Sequence, residues 1–320
     1  MTENTWCGHS LRRIAAVGAV GLFFMGAACS SFPSENDALG EFSGAFEADP
    51  NSGLAFSVIL TGRAEAPEAF LYAGGSYLRQ RPLAHVAVLV RHRTETFLFD
   101  TGLGRNIDRQ FDAMPFWVGP FFAYETTNAA ADAIGGAREP LDRIFVSHLH
   151  WDHASGLPDF PDTPVWLRRE EYENAIDPAS GPPAFLREQY EAIPNEWNFV
   201  EFDDGPYELF DQCSDLFGDG SVVFVPLNGH TPGSMGMFLN LPSGRRFFFT
   251  GDLSWALEGL LLPAQKYFVS RSIVDGDAGQ TRTSLARVHR LLQERPSLHA
   301  IPAHDALAQA YLAHYPDFEH

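Results

Sequence analysis

Residues 147–156 read SHLHWDHASG and crowd four metal-capable side chains, His148, His150, Asp152 and His153, into six positions. The apolar run RIFVS (143–147) that leads into them has the composition of a short buried strand. If the backbone stays extended beyond it, His148 and His150 point to the same side and reach one centre. Asp152 and His153 follow after a bend and face a second. A motif this short is equally a histidine-rich polar loop until residues elsewhere in the chain supply partners for it.

Those partners lie at the ends of other predicted strands. LAHVAVLVRH (83–92) and TFLFDTG (96–102) form a strand pair, with Asp100 near the end of the second. SVVFVPLNGHTPGSMGMFLNL (221–241) reads as strand, turn and strand, and His230 sits on the turn. RRFFFTGD (245–252) ends at Asp252, and LHAIPAHD (298–305) carries His304. PVWLRREEYENAI (164–176) starts as a strand and turns helical. TRTSLARVHRLLQERP (281–296) sets Leu285, Val288, Leu291 and Leu292 on one helical face and stops at Pro296. Loops at strand ends, held by a rigid sheet, are where chemically active side chains collect. Strand pairs alternating with helices predict two sheets packed face to face with helices outside.

Zinc favours imidazole and carboxylate ligands at ~2.0–2.2 Å, and a catalytic site keeps one position open for water. Two ions sharing a bridging carboxylate need seven protein ligands. The opening motif offers four; His230, Asp252 and His304 complete the number. The ordered set His-x-His-x-Asp-His, Gly-His-Thr-Pro-Gly, Thr-Gly-Asp and Pro-Ala-His resembles the metallo-β-lactamase-fold hydrolase superfamily, over residues 54–320. The resemblance implies an α+β fold, an αββα sandwich of two mixed β-sheets with outer helices. It implies two divalent metal ions, Zn2+ foremost. His148, His150 and His230 would hold one; Asp152, His153 and His304 would hold the other, with Asp252 bridging. It also implies that Asp100 orients a ligand histidine, although the residues alone equally allow a turn residue before Gly102. His85, inside an apolar strand, is expected in the core. His92, His289, His299, His314 and His320 have no partner motif and are expected as surface or helix residues.

Such a pair of ions lowers the pKa of bound water from about 15.7 to about 7. The chemistry expected is therefore hydrolysis by a bridging hydroxide, with Asp252 between the ions and Asp152 passing a proton to the leaving group. SHLHWDHASGLPDF, TPVWLRREEY and the later SLARVHRLLQERP with PAHD further resemble the N-acyl homoserine lactone lactonases. That likeness implies a small-molecule lactone or carboxylic ester with an apolar arm. Those lactonases commonly carry a tyrosine three residues after the bridging aspartate, where this chain has Trp255. A phosphotriester or arylester hydrolase on the same ions is the alternative enzyme. A zinc-binding lipoprotein without turnover is the alternative of another class. The segment FDAMPFWVGPFFAYE (111–125) is either a loop packed onto the core or an apolar wall near the metals. In the second case Trp117, Phe121 and Trp255 would line the substrate pocket.

Composition bounds these readings. The chain has 320 residues, of which 45% are hydrophobic, enough for a sizeable core. Its 22 Lys+Arg face 41 Asp+Glu, a net charge of −19 that repels a polyanion, so no nucleic-acid partner is expected. At the start, Arg12 and Arg13 precede an apolar run from Ile14 to Ala28, short of the ~20 residues that span a bilayer as a helix. This is the layout of a signal peptide. Its ending GAAC resembles a bacterial lipobox, with Gly26 where that pattern usually has Leu. The resemblance implies lipid on Cys29 and an exported, periplasmic or cell-envelope protein that meets the membrane through its anchor only. The alternative is plain cleavage near Ala28. Residues 1–29 are thus expected as signal peptide, 30–53 as a Ser/Gly/Pro-rich flexible tether, and 54–320 as one hydrolase domain. Loss of the leader would remove Cys7 and leave Cys29 and Cys213, so no disulfide framework is implied.

Overall fold

The strands fall where β-branched and aromatic residues alternate, and they assemble into two sheets. The computed structural model describes residues 39, 41–119, 121–137, 141–181, 183–191 and 196–320. The expected signal peptide and lipobox lie outside the described residues. The strands are β1 (Ala55–Pro67), β2 (Gln80–Arg91), β3 (Thr96–Phe99), β4 (Glu125–Thr126), β5 (Arg143–Phe145) and β6 (Val165–Leu167). They continue with β7 (Trp197–Phe199), β8 (Ser214–Asp215), β9 (Val222–Pro226), β10 (Met235–Asn240), β11 (Arg246–Phe249) and β12 (Leu298–Ile301). The first sheet has the order β4-β1-β2-β3-β5-β6-β7 and the second β12-β11-β10-β9-β8. Both are mixed: β3, β5, β6 and β7 run parallel, as do β11 and β12, while the remaining neighbours are antiparallel.

The period of two decides which side chains meet. Phe56, Val58, Val88 and Phe97 of the first sheet pack against Phe224, Met237, Phe247 and Phe249 of the second, forming the inner core. Their neighbours in sequence point outward. Ile59, Ala87, Leu89 and Leu98 receive the helices Ala130–Ala137 and Arg169–Ile176 through Ala130, Ile134 and Ala175. On the opposite side Val223, Val225, Phe238 and Phe248 receive Leu285, Val288 and Leu291 of the helix Ala278–Glu294. That helix starts where the Asp277 side chain accepts from the amides of Gly279 and Gln280. The layers are helix, sheet, sheet, helix, as expected. No helix among the described residues is long and apolar enough to cross a membrane.

Two features go beyond the sequence reading. β1 is a full strand of 13 residues, and β2 begins at Gln80 rather than Leu83, because the polar end of β1 continues the pairing down to Pro67 opposite Gln80. A register shift interrupts this ladder between Leu60 and Gly62, opposite His85. Residues 41–53 of the expected tether lie along the domain: Ser43 and Glu208 bond through Ser43 N, Glu208 N bonds Gly44 O, and Asp49 N bonds Asp219 O. The end of the sandwich that matters for chemistry is where β5, β9, β11 and β12 stop. Their following loops carry His148, His230, Asp252 and His304.

Candidate metal centre

His148, His150, Asp152, His153, His230, Asp252 and His304 come together, none more than 9% exposed. Among the described residues their ligand atoms fall into two groupings that share His148, His148/His150/His230 and His148/His153/Asp252, and a third that includes His85, His85/Asp152/His304. The local backbone explains the spacing. After β5 the chain stays extended through His150, then turns into a short helix at Trp151–Ala154 that swings Asp152 and His153 away from the first pair. The buried Glu171 carboxylate fastens this loop to the next one. Its Oε1 accepts from Leu149 N at 2.8 Å, and its Oε2 accepts from Gly233 N at 3.2 Å and from the Thr231 hydroxyl. Gly233 is required at that junction, since a Cβ there would stand 2.2 Å from Glu171 N.

Four of the imidazoles, His148, His153, His230 and His304, are oriented through Nδ1 by a partner outside the cluster. His153 Nδ1 donates to Asp100 Oδ2 at 2.8 Å, and His230 Nδ1 to Asp275 Oδ1 at 2.7 Å. His304 Nδ1 donates to Ala84 O at 2.9 Å. His148 Nδ1 meets the Ser147 hydroxyl at 3.0 Å, and that hydroxyl donates onward to Asp100 Oδ2 at 2.8 Å. Asp100 also accepts from Ser147 N at 2.7 Å and holds a left-handed φ of 60°, so it orients a histidine rather than merely closing a turn. The tautomer set by each Nδ1–H leaves a lone pair on Nε2. These lone pairs converge. His148 Nε2 lies 3.1 Å from His230 Nε2, and His304 Nε2 lies 3.0 Å from Asp252 Oδ1 and 3.3 Å from Asp152 Oδ2. His153 Nε2 is 3.2 Å from Asp252 Oδ1, and both atoms are buried without a hydrogen-bond partner.

Lone pairs facing lone pairs and carboxylates repel unless positive charge sits among them. Burial, reinforced by neighbouring imidazoles, pushes His148 and His150 well below the usual histidine range, so they are neutral. Burial works against charge at His153 and His304 too. The carboxylates of Asp100, Asp252 and Asp152 around His153 nevertheless raise it, and Asp252 and Asp152 raise His304. Burial also opposes ionisation of Asp252, yet His304 and His153 hold it well below the usual carboxylate range. Among the described residues, the buried carboxylates of Asp100, Asp152, Asp252 and Asp275 outnumber the fixed buried cation beside them, Lys266. His148 and His150 are neutral and ready to coordinate, and the ionised aspartates that favour a proton on His153 and His304 would attract a divalent cation in its place. The donors present therefore fit two such ions.

Three residues of this centre escaped the sequence reading. His85, expected as an ordinary core residue, places Nδ1 3.2 Å from Asp152 Oδ2. Lys266, fully buried, donates to Asp252 O at 2.6 Å and to Asp275 Oδ1 at 2.8 Å. Burial opposes the charge of Asp275, but Lys266 and then His230 lower its pKa to about 2. Only the quoted Trp255 carried a visible signal, and its role is specific: the indole N–H donates to Asp252 Oδ2 at 2.8 Å.

An apolar cleft enclosing about 790 Å³, its open mouth included, ends on Asp152, Asp252 and His304. Phe70, Leu83, Phe121, Phe122, Trp255 and Val274 wall it. Phe121 and Trp255 thus stand where the pocket reading expected them. Trp117 does not. It is 43% exposed and borders no part of the cleft, because the loop anchors itself through Met114 and Val118, which pack with Leu103, Ile107 and Trp151.

A family model described as the metallo-beta-lactamase superfamily matches residues 81–304. The chain is 28% identical over 172 residues to the N-acyl homoserine lactonase AttM of Azorhizobium caulinodans, covering 52% of this chain and 60% of that protein. It therefore spans less than two thirds of that relative's length. Among solved structures, an N-acyl homoserine lactone hydrolase with the product N-hexanoyl-L-homoserine bound at its catalytic metal centre superposes with a TM-score of 0.65. The identity is 17%, and the match covers 86% of this chain and 100% of that one. The dizinc quorum-quenching lactonase AidC gives a TM-score of 0.56 at 17% identity, covering 88% of this chain and 94% of that one.

Proposed function

This chain belongs to the metallo-β-lactamase superfamily, and from that premise we propose that it hydrolyses a lactone or carboxylic ester bearing an apolar arm. The observation that supports the reading most is the placement of Asp152, Asp252 and His304 at the floor of an apolar cleft. His148, His150 and His230 would hold one ion, Asp152, His153 and His304 the other, with Asp252 shared. Zinc suits five imidazoles and two carboxylates. When bound, the ions supply Lewis acidity toward the substrate carbonyl and make a water acidic enough to attack at neutral pH.

The chain's own residues do the rest. The walls of Phe121, Phe122 and Leu83 take the apolar arm and keep bulk water away from the scissile bond. Asp152 faces this cleft and is held ionised: burial opposes its charge, but His153, His85 and His304 outweigh burial. It is placed to take the proton released on attack and hand it to the leaving alkoxide. Trp255 spends its N–H on Asp252, so it shapes the cleft and does not donate to the substrate. A store for zinc has no use for an apolar cleft opening on its ligands.

A panel of acyl lactones, aryl esters and phosphotriesters, offered to the zinc-loaded protein, tests the proposal. Lactones or carboxylic esters should turn over fastest; preference for phosphotriesters would replace the reading with its alternative. We propose further that the protein is exported and carries lipid on Cys29, on the strength of the GAAC ending alone. Cys29→Ser should move the protein from the membrane fraction to the soluble one. An unmodified N-terminus in a wild-type protein already soluble would refute the anchor.

A further inference from the structure

Beside the seven side chains of the proposed two-ion site lies one more buried imidazole, which helps hold Asp152 ionised but is not counted among the ligands. His85 lies on β2, 6% exposed, and its Nδ1 makes no hydrogen bond. That nitrogen stands 3.2 Å from Asp152 Oδ2, the same oxygen that His304 Nε2 approaches at 3.3 Å. The three ligand atoms of His85, Asp152 and His304 lie within 4.8 Å of one another. The ring centroids of His85 and His304 are 5.2 Å apart.

The backbone builds this arrangement on purpose-made contacts. The register shift in β1 falls opposite His85, and Thr61 Oγ1, inside the shift, donates to His85 O at 2.9 Å. Bulges of this kind re-aim side chains beside functional sites. The preceding residue is tied directly to the cluster: Ala84 N donates to His304 O at 3.1 Å, and His304 Nδ1 donates to Ala84 O at 2.9 Å. This reciprocal pair fixes the distance between β2 and the loop of His304. It holds the backbone that carries His85 beside the loop of His304, with the His85 ring within reach of Asp152.

We propose that His85 is an additional ligand of the ion held by Asp152, His153 and His304, a proposal that rests on the two-ion reading. A buried imidazole with an unsatisfied nitrogen is costly unless it finds a partner. The metal supplies one. The other four cluster imidazoles whose hydrogen bonds are described direct Nδ1 outward to a fixed partner, whereas the Nδ1 of His85 points at a ligand oxygen. Coordination through Nδ1 satisfies it and enriches this ion in nitrogen relative to the set of Asp152, His153 and His304 alone.

The test compares wild type, His85→Ala and His85→Gln by metal content, chelator competition and the visible absorption of the cobalt-substituted protein. Circular dichroism of each metal-free protein checks that it folds. Wild type should hold two ions. Both variants should keep one ion unchanged and release the other at least ~10-fold more readily, with an altered cobalt spectrum. Glutamine keeps an N–H that can reach Asp152 and lacks the ring lone pair. Wild-type affinity and spectrum in His85→Gln would mean that His85 only positions Asp152, and would overturn the proposal. Unchanged affinity in His85→Ala would overturn it as well. A wild-type protein holding fewer than two ions would instead bring down the two-ion reading beneath it.

Discussion

His148 and His230 bring their Nε2 atoms to 3.1 Å of each other, although each ring is already engaged through Nδ1, by Ser147 and by Asp275. Two lone pairs at that distance are tolerable only around a shared cation. Asp252 stands beside them, with Oδ2 3.5 Å from His230 Nε2 and Oδ1 3.0 Å from His304 Nε2. One carboxylate thus touches both halves of the cluster. Asp252→Ala should lose one of two ions and most turnover, as elemental analysis and kinetics would show. Retention of two tightly held ions would contradict the bridging role.

The walls of the cleft make a second prediction. Phe121 borders it and Trp117 does not. Each methylene of an acyl arm is worth about 0.8 kcal/mol when buried, about fourfold in kcal-equivalent affinity. Phe121→Ala should therefore lose kcat/KM progressively as the arm lengthens, while the shortest ester stays near wild type. Trp117→Ala should leave the chain-length profile parallel to wild type. The opposite pattern would place the arm against Trp117.

Asp275 and Lys266 form a buried pair behind His230. Asp275→Asn keeps an oxygen for the His230 Nδ1–H but strands the Lys266 charge. Breaking a buried pair from one side costs about 3 kcal/mol, and loss of a ligand's orienting carboxylate weakens metal binding ~10–100-fold. Thermal melting and chelator competition should both register the change. A variant with wild-type melting and wild-type metal affinity would show that the pair does not support His230.

The legible part of this protein was its local part. HLHWDH, GHTPG, TGD and PAH each place a side chain within a few residues of a strand end. Their spacing survives folding because the sheet fixes where each strand stops. The helix face of Leu285, Val288 and Leu291 was readable for the same reason, through its period. His85 was not. Flanked by Ala84, Val86 and Ala87, it looks like any polar interruption of a core strand, and only pairing with distant β1 and His304 aims it. Lys266 and Asp275 gain their roles from tertiary placement beside Asp252 and His230, with no motif to announce them. Trp117 failed in the reverse direction: an aromatic loop shows its composition in the sequence but not which of its rings turns to the cleft.

The central claim, ester-bond hydrolysis at a two-ion site, is tested most directly by proton release. Metal-free protein would be titrated with zinc while it is supplied with an acyl homoserine lactone, and the acid formed on ring opening followed continuously. The account predicts a rate that climbs to its plateau at two equivalents of zinc per chain, with one proton per lactone opened. A plateau at one equivalent, or no acid formed at two, would contradict it.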